Sequence, residues 1–201
     1  MDVQLNLVNQ SNDNNNSQVV VFSAHAPPSN TIAWRVIENC GRGDNHPFRF
    51  PQGCEIGAAD SWGNYSQRLN APPGQAFAMT RTDSGDELNA TGPASDPTGI
   101  QITNALASGA ITALIFADGK LFASARLDPQ QTELFHFRPA IAIGAMSQVT
   151  EGKVMDAAVL DTVDTRFDLT GIASADIVMT GGGRGEGSTP FAFALHNVVR
   201  A

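Results

Sequence analysis

Lysine is nearly absent from this chain: Lys120 and Lys153 stand alone against ten arginines in 201 residues. Glutamate is scarce as well, at six positions. Exposed helix faces are ordinarily filled by these straight-chain residues, which lose little side-chain entropy in a helix. Their shortage, beside 19 glycines and many Asn, Ser and Thr, argues against a helical protein and for strands and turns. Cations are outnumbered too, giving a net charge of −8 and a pI near 4.8. Nucleic acid and anionic membrane surfaces are bound through clustered cations, so neither is an expected partner. Long apolar runs are also missing. Residues 97–117 carry no charge over 21 positions, yet Pro97, Gly99, Gln101, Asn104, Ser108 and Gly109 interrupt them, and no transmembrane segment is expected. Met1–Asn6 has neither a basic region nor an apolar stretch of the secretory kind. The expected location is therefore the cytoplasm, unless the chain is exported without an N-terminal signal. The two cysteines, Cys40 and Cys54, are too few for a zinc site and are expected as free thiols.

What is present is apolar content of 42%, with eleven phenylalanines in alternating segments, which rules against intrinsic disorder. The expected architecture is all-β: a single-domain antiparallel β-sandwich, jelly-roll-like, over residues 1–201, with ten to twelve strands and little helix. Strands are predicted at 3–8, 18–24, 31–39, 47–50, 54–59, 132–138, 140–145, 165–172, 174–180 and 190–199. Residues 146–163 fit a strand and a short helix equally well. A weak internal echo links Arg68-Leu69-Asn70 and the prolines after it to Arg126-Leu127-Asp128-Pro129; it reads as two similar strand–turn–strand units.

The strongest local signal is a hairpin over 111–126 that turns at Asp118-Gly119, a pair that tolerates the positive φ of a type I′ turn. A two-residue turn would set Ile115 opposite Phe122 and Ile111 opposite Arg126. One face, with Leu114, Phe116, Leu121 and Leu127, is then the expected core. The other carries Ile111, Ile115 and Phe122, an apolar patch that a second subunit or the segment 146–163 would have to cover. These three residues are the expected oligomer interface.

Motifs that would carry catalysis are incomplete. The run Gly181–Thr189 approaches a phosphate-binding loop, but Ser188 holds the lysine position and Pro190 opens a strand where a helix is required. It reads as a hairpin loop, with Arg184 over a backbone nest as the alternative. His25, His46, His136 and His196 show no paired ligand spacing; a metal site built in space from His25, His46 and a carboxylate is the weak alternative. Cys40 and His46 could meet across a turn, but nothing in the sequence lowers the thiol pKa. Asp156, Asp161, Asp164 and Asp168 read as a solvated face, and Arg42-Gly43-Asp44 as an ordinary turn.

Ser61-Trp62-Gly63-Asn64-Tyr65 sets the only Tyr and one of two Trp in a turn. Such rings either plug the end of a sandwich or form a platform for a sugar or a lipid headgroup. Trp62, Asn64, Tyr65 and Arg184 are the expected ligand-binding residues. The function expected is that of a non-catalytic binding or structural protein that self-associates and recognises a neutral ligand, carbohydrate or lipid-like, through loops, with no cofactor. The alternative is a metal-dependent enzyme of the cupin or jelly-roll type with a histidine-based site.

Overall fold

The computed structural model describes residues 2–25, 30–155, 160, 163 and 165–201. It is all-β, with sixteen strands among the described residues where ten to twelve are expected from the sequence. They are β1 (Val3–Asn9), β2 (Gln18–Ser23), β3 (Arg35–Ile37), β4 (Asn45–Phe50), β5 (Glu55–Asp60), β6 (Leu69–Asn70), β7 (Gln75–Thr82), β8 (Gly85–Pro93), β9 (Ile100–Asn104), β10 (Ile111–Ala117), β11 (Lys120–Leu127), β12 (Thr132–Phe135), β13 (Ala140–Met146), β14 (Thr165–Asp168), β15 (Ile172–Gly182) and β16 (Thr189–Arg200). The strands missing from the sequence reading are β8 and β9, while β6 and β7 fall on the strand–turn–strand unit read from Arg68 onward. Strand β8 is mostly exposed and polar, and β9 lies inside an uncharged run broken by Gly and Pro.

The chain forms two compact units. A split unit combines Met1–Gln52 with Pro139–Ala201, and a continuous unit spans Gly53–Arg138. The split unit holds two four-stranded sheets, ordered β16-β15-β1-β4 and β14-β13-β2-β3. Strand β1 alternates strictly, so Val3, Leu5 and Leu7 are buried while Gln4 is exposed. In contrast, β2 and β13 are apolar on both faces. The reason is a second layer: Val20, Phe22, Ala140 and Ala142 pack under Met155, Val149, Leu160 and Val163. The described part of the segment after β13 thus covers its own sheet. Its predicted strand or helix falls partly on 156–159, 161, 162 and 164, which lie outside the described residues. Trp34 is fully buried, edge-on to Phe48 and Phe50 with ring centroids 6.4 and 5.6 Å away. The third predicted strand shrinks to β3; before it, Ala33 bonds elsewhere, its N–H donating to the Lys153 carbonyl and its carbonyl accepting from the Gly152 N–H.

The continuous unit is a sandwich of sheets β11-β10-β5-β6 and β12-β9-β7-β8. Ile56, Ala58, Ile111, Ala113 and Ile115 of the first meet Phe77, Met79, Leu88, Ile100 and Ile102 of the second. The β10–β11 hairpin turns at Asp118-Gly119 as predicted, with φ of 50° and 73°. Its register corrects the sequence reading. Ala117 pairs with Lys120 and Phe116 with Leu121, but Ile115 then pairs with Ala123, leaving Phe122 as an extra, bulged residue. From there every pair shifts by one, and Ile111 meets Leu127 instead of Arg126. The buried face is accordingly the opposite one. Ile111, Ile115 and Phe122 are 1%, 1% and 3% exposed, and Phe122 meets the Phe137 ring edge-on at 5.2 Å. They are core, and this face is no oligomer interface. Both faces of β10 are apolar, so alternation could not choose between them.

Candidate functional site: an aromatic loop clamped by Asp60

The connection from β5 to β6 carries Trp62 and Tyr65, which are 88% and 74% exposed. Neither ring plugs a core. The loop closes on the carboxylate that ends β5. Asp60 Oδ1 accepts from the Trp62 and Asn64 backbone N–H groups at 2.9 Å each, and Oδ2 accepts from Asn64 Nδ2 at 2.8 Å. The Asp60 N–H donates to the Asn64 carbonyl at 3.0 Å. Gly63 supplies the tight return at φ 89°, and Tyr65 pairs with Ala59 as a β-bridge. Below it, the Ser66 N–H donates to the Ala58 carbonyl and Ser66 Oγ accepts from the Ala58 N–H. The hydrogen bond from the Asn64 side chain, then those from the backbone, hold the Asp60 carboxyl below its usual range. The clamp is ionised at neutral pH.

Asn64 therefore shapes the loop with its amide. Asp60 is the residue that the sequence reading missed; its signal is an Asp four residues before an Asn, across a Trp-Gly pair, which is an Asx-turn pattern. Arg184 lies in the split unit, exposed, just before a single 3-10 turn at Gly185–Gly187, and belongs to a different loop. That loop joins β15 to β16 with no helix after it, so the phosphate-binding geometry is absent. Gly181 is required there, since a Cβ would come within 2.1 Å of the Pro190 carbonyl oxygen.

The histidines do not assemble in the split unit. His46 pairs with Leu7 on β4 and His196 with Asp176 on β16, at opposite edges of a four-stranded sheet. Three strand spacings, about 14 Å, separate those edges. His25 follows β2 in the other sheet. Asp176 between them is engaged by Asn6 Nδ2 at 3.1 Å and Asn197 Nδ2 at 2.7 Å. His136, in the continuous unit, approaches Asp96 at 4.0 Å. Among the described residues no three His, Cys, Asp or Glu side chains form a group that could hold a metal. Asp156, Asp161 and Asp164 lie outside the described residues; Asp168 accepts from the Thr170 N–H at 2.8 Å.

Cys40 lines an open hollow with Asp44 and His46, but burial and the Asp44 charge push its thiol pKa up, the wrong direction for a nucleophile. Cys54 is buried and pushed up to about 12 by burial and then by Glu55. Both are free thiols. In the Arg42-Gly43-Asp44 turn, Asp44 Oδ2 accepts from the Gly41 N–H at 3.0 Å and Arg42 Nη1 donates to Asn12 Oδ1 at 2.9 Å. Asp44 fastens its own loop, and Arg42 ties that loop to the β1–β2 connection. No helix among the described residues is long and apolar enough to cross a membrane. Comparison with protein-family models, curated proteins and solved structures returns no match.

Proposed function

We propose that this is a non-catalytic β-sandwich binding protein that recognises a neutral ligand, carbohydrate or lipid-like, on the 61–65 loop. The observation that carries the reading is the pairing of exposure with order. Trp62 and Tyr65 stand outside the core, yet the backbone beneath them is fixed by the three hydrogen bonds to Asp60. Exposed rings on a pre-set backbone lose little entropy on binding, and their faces suit the apolar side of a sugar ring. Self-association belongs to the same proposal. The place to look for it is the 12-residue edge strand β16, where Val198 and Val199 are 40% and 54% exposed and which stands at the end of its sheet's order among the described strands.

The test is a titration of wild type and Trp62→Ala against a panel of neutral oligosaccharides and zwitterionic vesicles, followed by tryptophan fluorescence and calorimetry. Trp34 is buried, so any change on binding reports Trp62. Wild type should bind one panel member, and Trp62→Ala should lose that binding with an unchanged melting temperature. Binding retained by the variant, or a panel with no binder, would refute the platform.

A further inference from the structure

The two units are built alike. With β1, β2, β3 and β4 laid on β9, β10, β11 and β12, and β13, β14, β15 and β16 on β5, β6, β7 and β8, each pairing of the split unit finds its counterpart. The order β16-β15-β1-β4 becomes β8-β7-β9-β12, and β14-β13-β2-β3 becomes β6-β5-β10-β11, the two sheets of the continuous unit. The sense of pairing is kept as well. The parallel pair β1–β15 corresponds to the parallel pair β9–β7, and the other pairs are antiparallel in both units.

The correspondence reaches single hydrogen bonds. Asn9 pairs with Met179 across the parallel ladder, and Asn104 with Met79. The Asn9 N–H donates to the Asp44 carbonyl at 3.0 Å, and the Asn104 N–H to the Gln131 carbonyl at 2.9 Å. The Asn9 carbonyl accepts from the Gly43 N–H at 2.7 Å, and the Asn104 carbonyl from the Gln130 N–H at 2.7 Å. Both Oδ1 atoms accept from the N–H two residues on, in Ser11 and Leu106. Both Nδ2 atoms donate to the carbonyl that leads into the next turn, in Cys40 and Leu127. Within that turn Asp44 Oδ2 accepts from the Gly41 N–H, and Gln131 Oε1 from the Asp128 N–H. Gly43 and Gln130 both take positive φ, at 90° and 67°. At the far end of each unit the Ala201 N–H donates to the Gly171 carbonyl and the Ala94 N–H to the Gly74 carbonyl, with both glycines at positive φ. The triplets Ile56-Gly57-Ala58 and Ile143-Gly144-Ala145 occupy matching places, opposite Ile115 and Val21. Strand order alone could coincide by chance. The same buried asparagine making the same four kinds of bond could not plausibly do so.

We infer that residues 3–93 and 100–200 are two copies of one repeat that have exchanged halves, so that each copy is the other's partner. Along the chain the modules run β1–β4, β5–β8, β9–β12, β13–β16. The split unit joins the first to the last, and the continuous unit joins the middle two. Neither repeat owns a complete sandwich. The surface that one repeat presents is the inward face of an unfinished four-strand module, and the occupant that fits it is the complementary module of a second copy. The present chain is such an exchanged dimer, tied covalently by the connection from Ala94 to Gly99.

The equivalence gives a sharp test on the whole chain. Ala201 and Val3 stand in the split unit where Ala94 and Thr98 stand in the continuous one. A circular permutant that begins at Thr98, ends at Ala94 and joins Ala201 to Val3 through a copy of the Ser95–Pro97 loop is this protein with its repeats in reverse order. It should keep the wild-type far-UV β signal, native mass and melting temperature to within a few degrees. An unfolded or aggregated permutant would overturn the equivalence. Exchange is tested separately, in otherwise wild-type protein with a protease site inserted at Ser95–Pro97. After complete cutting, the fragments should co-elute at the uncut mass and separate only in denaturant. Two folded fragments that separate in native buffer would show self-contained halves and overturn the exchange.

Discussion

Asn104 is the residue whose removal the structure prices most clearly. Its side chain is completely buried. Nδ2 donates to the Gly109 and Leu127 carbonyls at 3.0 and 3.1 Å, and Oδ1 accepts from the Leu106 N–H at 3.2 Å. Asn104→Ala deletes all three bonds and leaves the Leu127 carbonyl and the Leu106 N–H buried without those partners, while the Gly109 carbonyl is on an exposed residue. Each lost bond is worth about 1 kcal/mol and each orphaned group about 1–3 kcal/mol, with overlap between the two figures. A total near 3–5 kcal/mol is expected, a large share of the 5–15 kcal/mol that holds a typical domain. Asn9 has the same office in the split unit. Its Nδ2 donates to the Cys40 carbonyl at 2.5 Å and its Oδ1 accepts from the Ser11 N–H and Ser11 Oγ at 2.9 and 2.6 Å. Asn9→Ala should therefore fall in the same range. The assay is urea denaturation followed by circular dichroism, together with hydrogen exchange read by mass spectrometry. Asn104→Ala should deprotect peptides of 53–138 first, and Asn9→Ala those of 2–52 and 139–201. A midpoint unchanged for either variant, or deprotection confined to the wrong unit, would refute the account.

The hairpin and the buried thiol give two further outcomes. Phe122→Glu places a carboxylate against Phe137 in a closed core, so it should unfold the protein at 25 °C; a folded protein of reduced native mass would instead restore the interface reading. Cys54 has a folded pKa of about 12 against 9.0 when unfolded, so its contribution is complete below pH 9 and is lost as pH rises from 9 towards 12, at up to about 1.4 kcal/mol per unit. Stability curves of wild type and Cys54→Ala should run parallel below pH 9, and above it the wild-type curve should fall relative to that of the variant; curves that stay parallel above pH 9 as well would contradict the assignment.

The fold class was legible because composition and alternation act at short range. Scarce Lys and Glu, β-branched runs and the Asp118-Gly119 turn each constrain a few neighbouring residues, and the strands at 3–9, 18–23 and 140–146 follow from them. Facing was not legible. On β10 every position is apolar except Thr112, and the decision between its two faces is made by one bulged residue, Phe122, on the neighbouring strand. A bulge has no reliable mark in a single sequence, yet it moves every later side chain to the other side. The aromatic loop was legible as a candidate because Trp and Tyr in a Gly-Asn turn are out of place. Its anchor was not, since Asp60 looks like any other turn residue until its carboxylate is seen to accept three bonds.

The repeat escaped notice for a related reason, and it bears on the candidate site. What the two copies share is hydrogen-bond geometry, and geometry fixes very few residue types: an Asn where both a donor and an acceptor are needed, and small or polar residues in the turns. Gly43 and Gln130 satisfy one turn equally well, so alignment by residue type fails where alignment by bonds succeeds. The echo between 68–70 and 126–129 pairs β6 with β11, which the equivalence does not match. The copies differ most in one connection. Between β13 and β14, a segment of the split unit lays Val149, Met155, Leu160 and Val163 over its sheet and buries Phe22 to 6%. Between β5 and β6, the same connection in the continuous unit is only eight residues long. It leaves Phe116, the counterpart of Phe22, half-buried under the Arg68 guanidinium at 3.7 Å, and holds Trp62 and Tyr65 out to solvent. One copy spends this loop on covering its own sheet and the other presents aromatic rings with it. If that division of labour is the use to which the duplication was put, the ligand titration has a fixed stoichiometry of one site per chain, and two equal sites would contradict it.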